Sequence, residues 1–141
     1  SQEARTRQVA LKAAEALLDR AEQEARGSWI HVVATDLEIP GDYAKPILDA
    51  DRGGPLPYTV TGRPVDAKAA EAMERNPFFR VQWERSHPAG GEGGAGTVGR
   101  LSDLRVTVSW DEVHTRAGGN GASIQTVVPR SLTLCRRFLH A

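Results

Sequence analysis

The sequence predicts an α+β fold in which one long N-terminal α-helix packs on an antiparallel β-sheet. Three observations predict it: an unbroken helical pattern through residue 26, a run of prolines and glycines after it, and a switch to two-residue periodicity from Phe79 onward. At 141 residues, 40% of them hydrophobic, the chain has the size of one domain and the apolar material for a core that needs no metal or crosslink. The expected layout is a single domain over 1–141. A helix takes 1–26, an irregular connection with a short helix takes 27–77, and an antiparallel sheet takes 78–141.

The helix rests on composition and spacing. Between Gln2 and Arg26 there is no Gly or Pro, and Ala, Leu, Glu, Gln, Arg and Lys dominate, all of which lose little on becoming helical. Leu11, Ala14, Leu18, Ala21 and Ala25 recur at three- and four-residue steps, and Ala10 and Leu17 widen the stripe. Lys12, Glu15, Asp19, Glu22 and Gln23 fall elsewhere. At 1.5 Å per residue the helix is roughly 37 Å long, and Gly27 ends it. Ser1-Gln2-Glu3-Ala4-Arg5 enters the periodicity with no clear capping residue, which reads as a helix entered in its middle. No stretch approaches about 18 consecutive apolar residues, and the first residues lack the basic-then-apolar order of a signal peptide.

Residues 28–64 hold Pro40, Pro46, Pro55, Pro57 and Pro64 with the Gly53-Gly54 pair, too many breakers for long elements. Trp29, Ile30, Val32 and Val33 can pin this connection to the core, and Tyr58-Thr59-Val60 fits a short strand. Residues 66–75 read as a short helix that Asn76-Pro77 ends, because a residue before proline avoids the helical region.

Alternation then takes over. Apolar and polar residues alternate over 79–84 and again over 104–111, giving two half-buried strands. A third strand, 130–139, puts Leu132, Leu134 and Phe138 on one face, and Arg136 interrupts them, which suggests a bulge or a sheet margin. Glycine-rich loops over 86–100 and 115–121 separate the strands. The result is a meander with the helix over one face.

Two segments also carry a resemblance. Residues 7–22, with the Ala13-Ala14-Glu15-Ala16 core, resemble the stretch that follows the hydrophobic half-helix in PilX- and PilV-like minor pilins. Leu104 to Trp110, followed by Ser131-Leu132-Thr133-Leu134, resembles the paired closing strands of PilV-type proteins, where a Val-Thr-Val-x-Trp strand precedes a Leu-Thr-Leu-type strand. The order of elements is similar to that of type IV pilins and type II secretion pseudopilins. The resemblance implies a pilin-like minor subunit that helps to initiate or cap a filament, with other minor pilins or pseudopilins as partners. It further implies a hydrophobic segment ahead of Ser1 that holds the protein in the inner membrane of a Gram-negative-type bacterium, before entry into a periplasmic or surface filament. The lack of a C-terminal cysteine pair fits a minor subunit. Ala10 and Ala14 then either let neighbouring helices approach closely or simply pack on this chain's own sheet.

Composition and motifs offer little chemistry. Eighteen basic residues balance eighteen acidic ones, so no long-range field draws the chain onto nucleic acid, which is not an expected partner. Clustering of Arg100, Arg105, Arg130, Arg136 and Arg137 on one sheet face would instead favour the alternative function, a pilin-like binding module for DNA or a surface receptor. Cys135, the single cysteine, lies beside two cations but has no assignable base, and a lone strand cysteine is expected to pack as a small hydrophobe. His31, His87, His114 and His140 show no ligand-like spacing. Asp49-Ala50-Asp51-Arg52-Gly53-Gly54 lacks the later Glu of a calcium loop and reads as a turn. The glycines of 90–96 lack the Lys-Ser/Thr of a phosphate cradle. Trp83 and Trp110 are in phase with core positions. No catalytic, cofactor-binding or metal-ligating set is predicted, and an enzyme is not expected.

Overall fold

The computed structural model of the protein describes residues 1–27, 46–65, 78–87 and 101–139. Helix α1 spans Gln2–Ala25. Contrary to the sequence reading, it is capped: the Ala4 amide donates to the Ser1 hydroxyl oxygen at 3.3 Å, satisfying one of the free N–H groups of the first turn. At the other end Gly27 takes φ 77, a conformation that suits glycine, and its amide donates to the Glu24 carbonyl at 3.0 Å. The buried stripe is Ala10, Ala13, Ala14, Leu17, Leu18, Ala21 and Ala25. Ala13 therefore takes the place expected for Leu11, which is only half-buried. None of residues 2–9 is fully buried, and only Val9 among them packs partly against the core, so full burial begins one-third of the way along the helix.

The sheet has four antiparallel strands in sequential order: β1 (Arg52–Tyr58), β2 (Phe79–Ser86), β3 (Leu101–Ala117) and β4 (Ser123–Leu139). One face is the core. Phe79, Val81, Leu104, Val106, Val108 and Trp110 are buried on it, with Leu132, Leu134 and Phe138 from β4, and α1 lies across β3 and β4. Phe79 and Trp110 are register partners whose rings meet edge to face at 5.7 Å. Arg80, Gln82, Glu84, Arg105, Thr107 and Thr133 alternate onto the opposite, polar face.

β3 and β4 pair without a slip from Leu101↔Leu139 to Ala117↔Ser123. Of the two expectations at Arg136, the bulge is absent and the sheet margin is present. Arg136 keeps the phase of Leu132, Leu134 and Phe138, and β4 is an edge strand, so a charge there can reach out of the core layer. Both strands are longer than alternation alone suggested, because they continue beyond the buried part. Among the described residues, β3 past Trp110 pairs with β4 alone, and the two form a ribbon over residues 111–129. The expected loop at 115–121 contracts to a tight turn after Ala117, with Gly121 at φ 73.

A whole strand was hidden in the predicted irregular connection. β1 contains Gly53, Gly54, Pro55 and Pro57, poor strand residues that an edge strand tolerates, and its register shifts between Gly53 and Leu56. The sheet therefore begins at Arg52 rather than at 78, and Tyr58 closes this strand instead of opening one. Gly53 also has a packing role, since a Cβ there would fall on the Trp83 indole. Gly53 and Gly54 accordingly lie in a strand and not in the turn read from 49–54. The anchors Trp29 to Val33, the short helix at 66–75, and most of the 86–100 loop lie outside the described residues.

Candidate interaction surfaces

A buried polar clasp fixes the chain entering β1. The 3-10 turn Ile47–Asp49 presents the amides of Ile47 and Leu48 to the Glu24 carboxylate of α1, at 2.8 and 2.9 Å. Arg85 of β2 completes it, donating from Nη1 to the Leu48 carbonyl at 2.8 Å and from Nε to the Ser102 hydroxyl at 3.1 Å. Burial lowers the Arg85 pKa, opposed by the nearby Asp51 charge. These partners lie 17 to 37 residues from one another in the chain, which is why no local pattern announced them.

The arginines are dispersed and matched. Arg136 bridges the sheet to α1, donating from one nitrogen to Asp19 at 2.7 Å and Glu22 at 3.0 Å. On the polar face Arg137 holds Asp103 with two hydrogen bonds, at 2.7 and 3.0 Å, keeping that carboxyl below its ordinary pKa. Arg52 and Arg105 share the two oxygens of Glu84, at 3.3 and 2.8 Å. Arg130 sits on the helix side with Glu112. The four described members of the arginine set thus divide between two faces, each against a carboxylate, and Arg100 lies outside the described residues. Cys135 is exposed on the polar face opposite Arg105, which corrects its expected packing as a core hydrophobe.

The polar face carries a shallow depression of about 400 Å³ between Arg52, Gln82, Glu84, Arg105, Thr107 and Thr133. Its arginines are already engaged by Glu84, and the Thr107 and Thr133 hydroxyls bond one another at 3.2 Å. Nothing in it pairs a nucleophile with a base. Trp110 is buried as expected, and Trp83 is half-buried against the core. His87 follows β2 with Nε2 3.5 Å from Asp51, while His31 and His140 lie outside the described residues.

At the other end of the sheet the first turn of α1 meets the base of the ribbon. Glu3, Glu112 and His114 each place one ligand-type atom within 4.8 Å of the others. The Glu112 carboxyl is held below its ordinary pKa, first by Arg130, whose Nε donates at 2.6 Å, and also by a hydrogen bond with Glu3. Histidine spacing along the sequence missed this group. The strand phase of Glu112-x-His114 was readable, but the partner 109 residues earlier was not. No protein-family model, curated protein or solved structure matches the chain.

Proposed function

We propose that the chain is the globular part of a minor subunit of a type IV pilus or type II secretion pseudopilus, a pilin-like protein that helps to initiate or cap a filament. One observation supports this most. The helix is laid on one face of a meander sheet, and of its residues before Ala10 only Val9 packs, partly buried, against the core, as suits a helix whose N-terminal part packs among other subunits. The closing-strand pattern seen in the sequence falls on β3 and β4, the strands under that helix. The engaged arginines favour a structural subunit over a nucleic-acid-binding module, since a phosphate would have to displace a carboxylate at each of them.

Assembly provides the test. Zero formal net charge supplies no steering, and the helix before Val9 offers too little uncovered area for a stable homodimer, so the domain is expected to be monomeric alone. Mixed with the soluble domains of pilin-like proteins encoded beside it, it should associate, as read by calorimetry or size exclusion. Tight self-association, or no binding to any such neighbour at high micromolar concentration, overturns the reading.

A further inference from the structure

The first turn of α1 and the base of the ribbon both lie beyond the fully buried residues, yet three side chains of metal-ligating type converge there. Glu112 and His114 are two apart on β3, so both point to the helix side. Glu3 descends on them from α1, where burial has not yet begun. The donor set is mixed, one imidazole and two carboxylates drawn from two elements, with all three ligand atoms within 4.8 Å of one another. We propose that Glu3, Glu112 and His114 form a binding site for a divalent transition-metal ion of the zinc class, which clips the start of the helix to the ribbon.

The geometry lies near what such an ion requires. Tetrahedral zinc with bonds of about 2.0–2.1 Å sets neighbouring donor atoms about 3.3 Å apart. Here His114 Nε2 lies 3.8 Å from Glu112 Oε2, and all three donors fit within 4.8 Å. Glu3 and His114 are both exposed, which leaves their side chains room to rotate toward that spacing. Three protein ligands leave the fourth position to water. Softer ligand chemistry excludes magnesium and calcium as the preferred ions, since both favour all-oxygen sites. Arg130 is the competitor: it occupies the Glu112 oxygen nearest His114 and must turn away, or leave the metal to the other oxygen. The ion would gain a structural task, because α1 before Ala10 has no buried residue to hold it down.

The experiment is calorimetric titration of the tag-free chain with zinc chloride, alongside Glu3→Gln, His114→Ala, Arg130→Gln and Cys135→Ser. One equivalent of zinc should bind to the wild type and to Cys135→Ser. Affinity should fall at least tenfold in Glu3→Gln and His114→Ala, and be equal or tighter in Arg130→Gln. Amide exchange around residues 111–115 should slow when zinc is added to the wild type and not to His114→Ala. Circular dichroism checks that each variant is folded, as substitutions at exposed positions should leave it. No uptake by the wild type overturns the proposal. So does uptake that survives both ligand substitutions, or uptake by Arg130→Gln alone, which would assign Glu112 to the guanidinium in the native protein.

Discussion

Tyr58 ends β1 with its side chain in the core, and burial pushes its phenol up to about 12, with the Arg20 charge pulling the other way. The ordinary value is about 10, so the folded state holds the proton more tightly than the unfolded chain. Stability from this group is complete below pH 10 and is lost as pH rises from about 10 through about 12. A two-unit gap corresponds to roughly 2–3 kcal/mol. Thermal unfolding of wild type and Tyr58→Phe across pH 9–12 should show a steeper loss in the wild type. Parallel curves would mean that the hydroxyl ionises equally in both states. Sequence reading set Tyr58 at the start of a short strand, Tyr58-Thr59-Val60, but among Pro55, Pro57 and Gly62 no pattern marked its side chain as core. What makes it a core residue is the β2 strand opposite it, through the partner Phe79.

At the scale of elements, α1 was readable because its signal is local: composition, a three-to-four-residue stripe and a terminal glycine all lie within one segment. The cores of β2, β3 and β4 were readable for the same reason, through alternation. β1 was not, because an edge strand needs neither alternation nor donors on its outer side. Nor were the ends of the long hairpin legible, since outside the core nothing selects apolar residues, and pairing alone continues there. That hairpin makes a sharp prediction. Val108 is fully buried, whereas Val113 and Val127 face solvent, at 56% and 58% exposure. Val108→Ala should cost about 1–3 kcal/mol, while Val113→Ser and Val127→Ser should stay within about 0.5 kcal/mol. Chemical denaturation of the three variants checks it, and equal losses would place the ribbon inside a cooperative core.

Across the whole molecule, the long-range ties were the part sequence could not supply. Alternation showed that Arg136 stands among apolar residues, with a bulge or a sheet margin as the local explanation, and β4 does lie at the sheet edge. The charge itself is met by a carboxylate pair 117 and 114 residues earlier in the chain. With Arg136 only 29% exposed and Glu22 26%, the bridge to α1 is partly shielded from solvent. A double-mutant cycle of Arg136→Ala with Glu22→Gln should give a coupling of about 0.5–1.5 kcal/mol that shrinks with added salt. Zero coupling would leave Asp19 as the carboxylate that carries the bridge from Arg136 to the helix.

The unbroken register of β3 and β4 sets a rule for how this molecule can change in length. Side chains alternate faces at every step, so losing one residue from one strand would turn every position beyond it toward the wrong face. Losing a matched pair of residues from each strand near the turn would leave Trp110, Val108 and Leu132 where they are. The ribbon can therefore grow or shrink in whole facing pairs, one residue from each strand and about 3.4 Å of reach at a time. Variants of this chain that differ in ribbon length should differ by an even number of residues, with the core untouched.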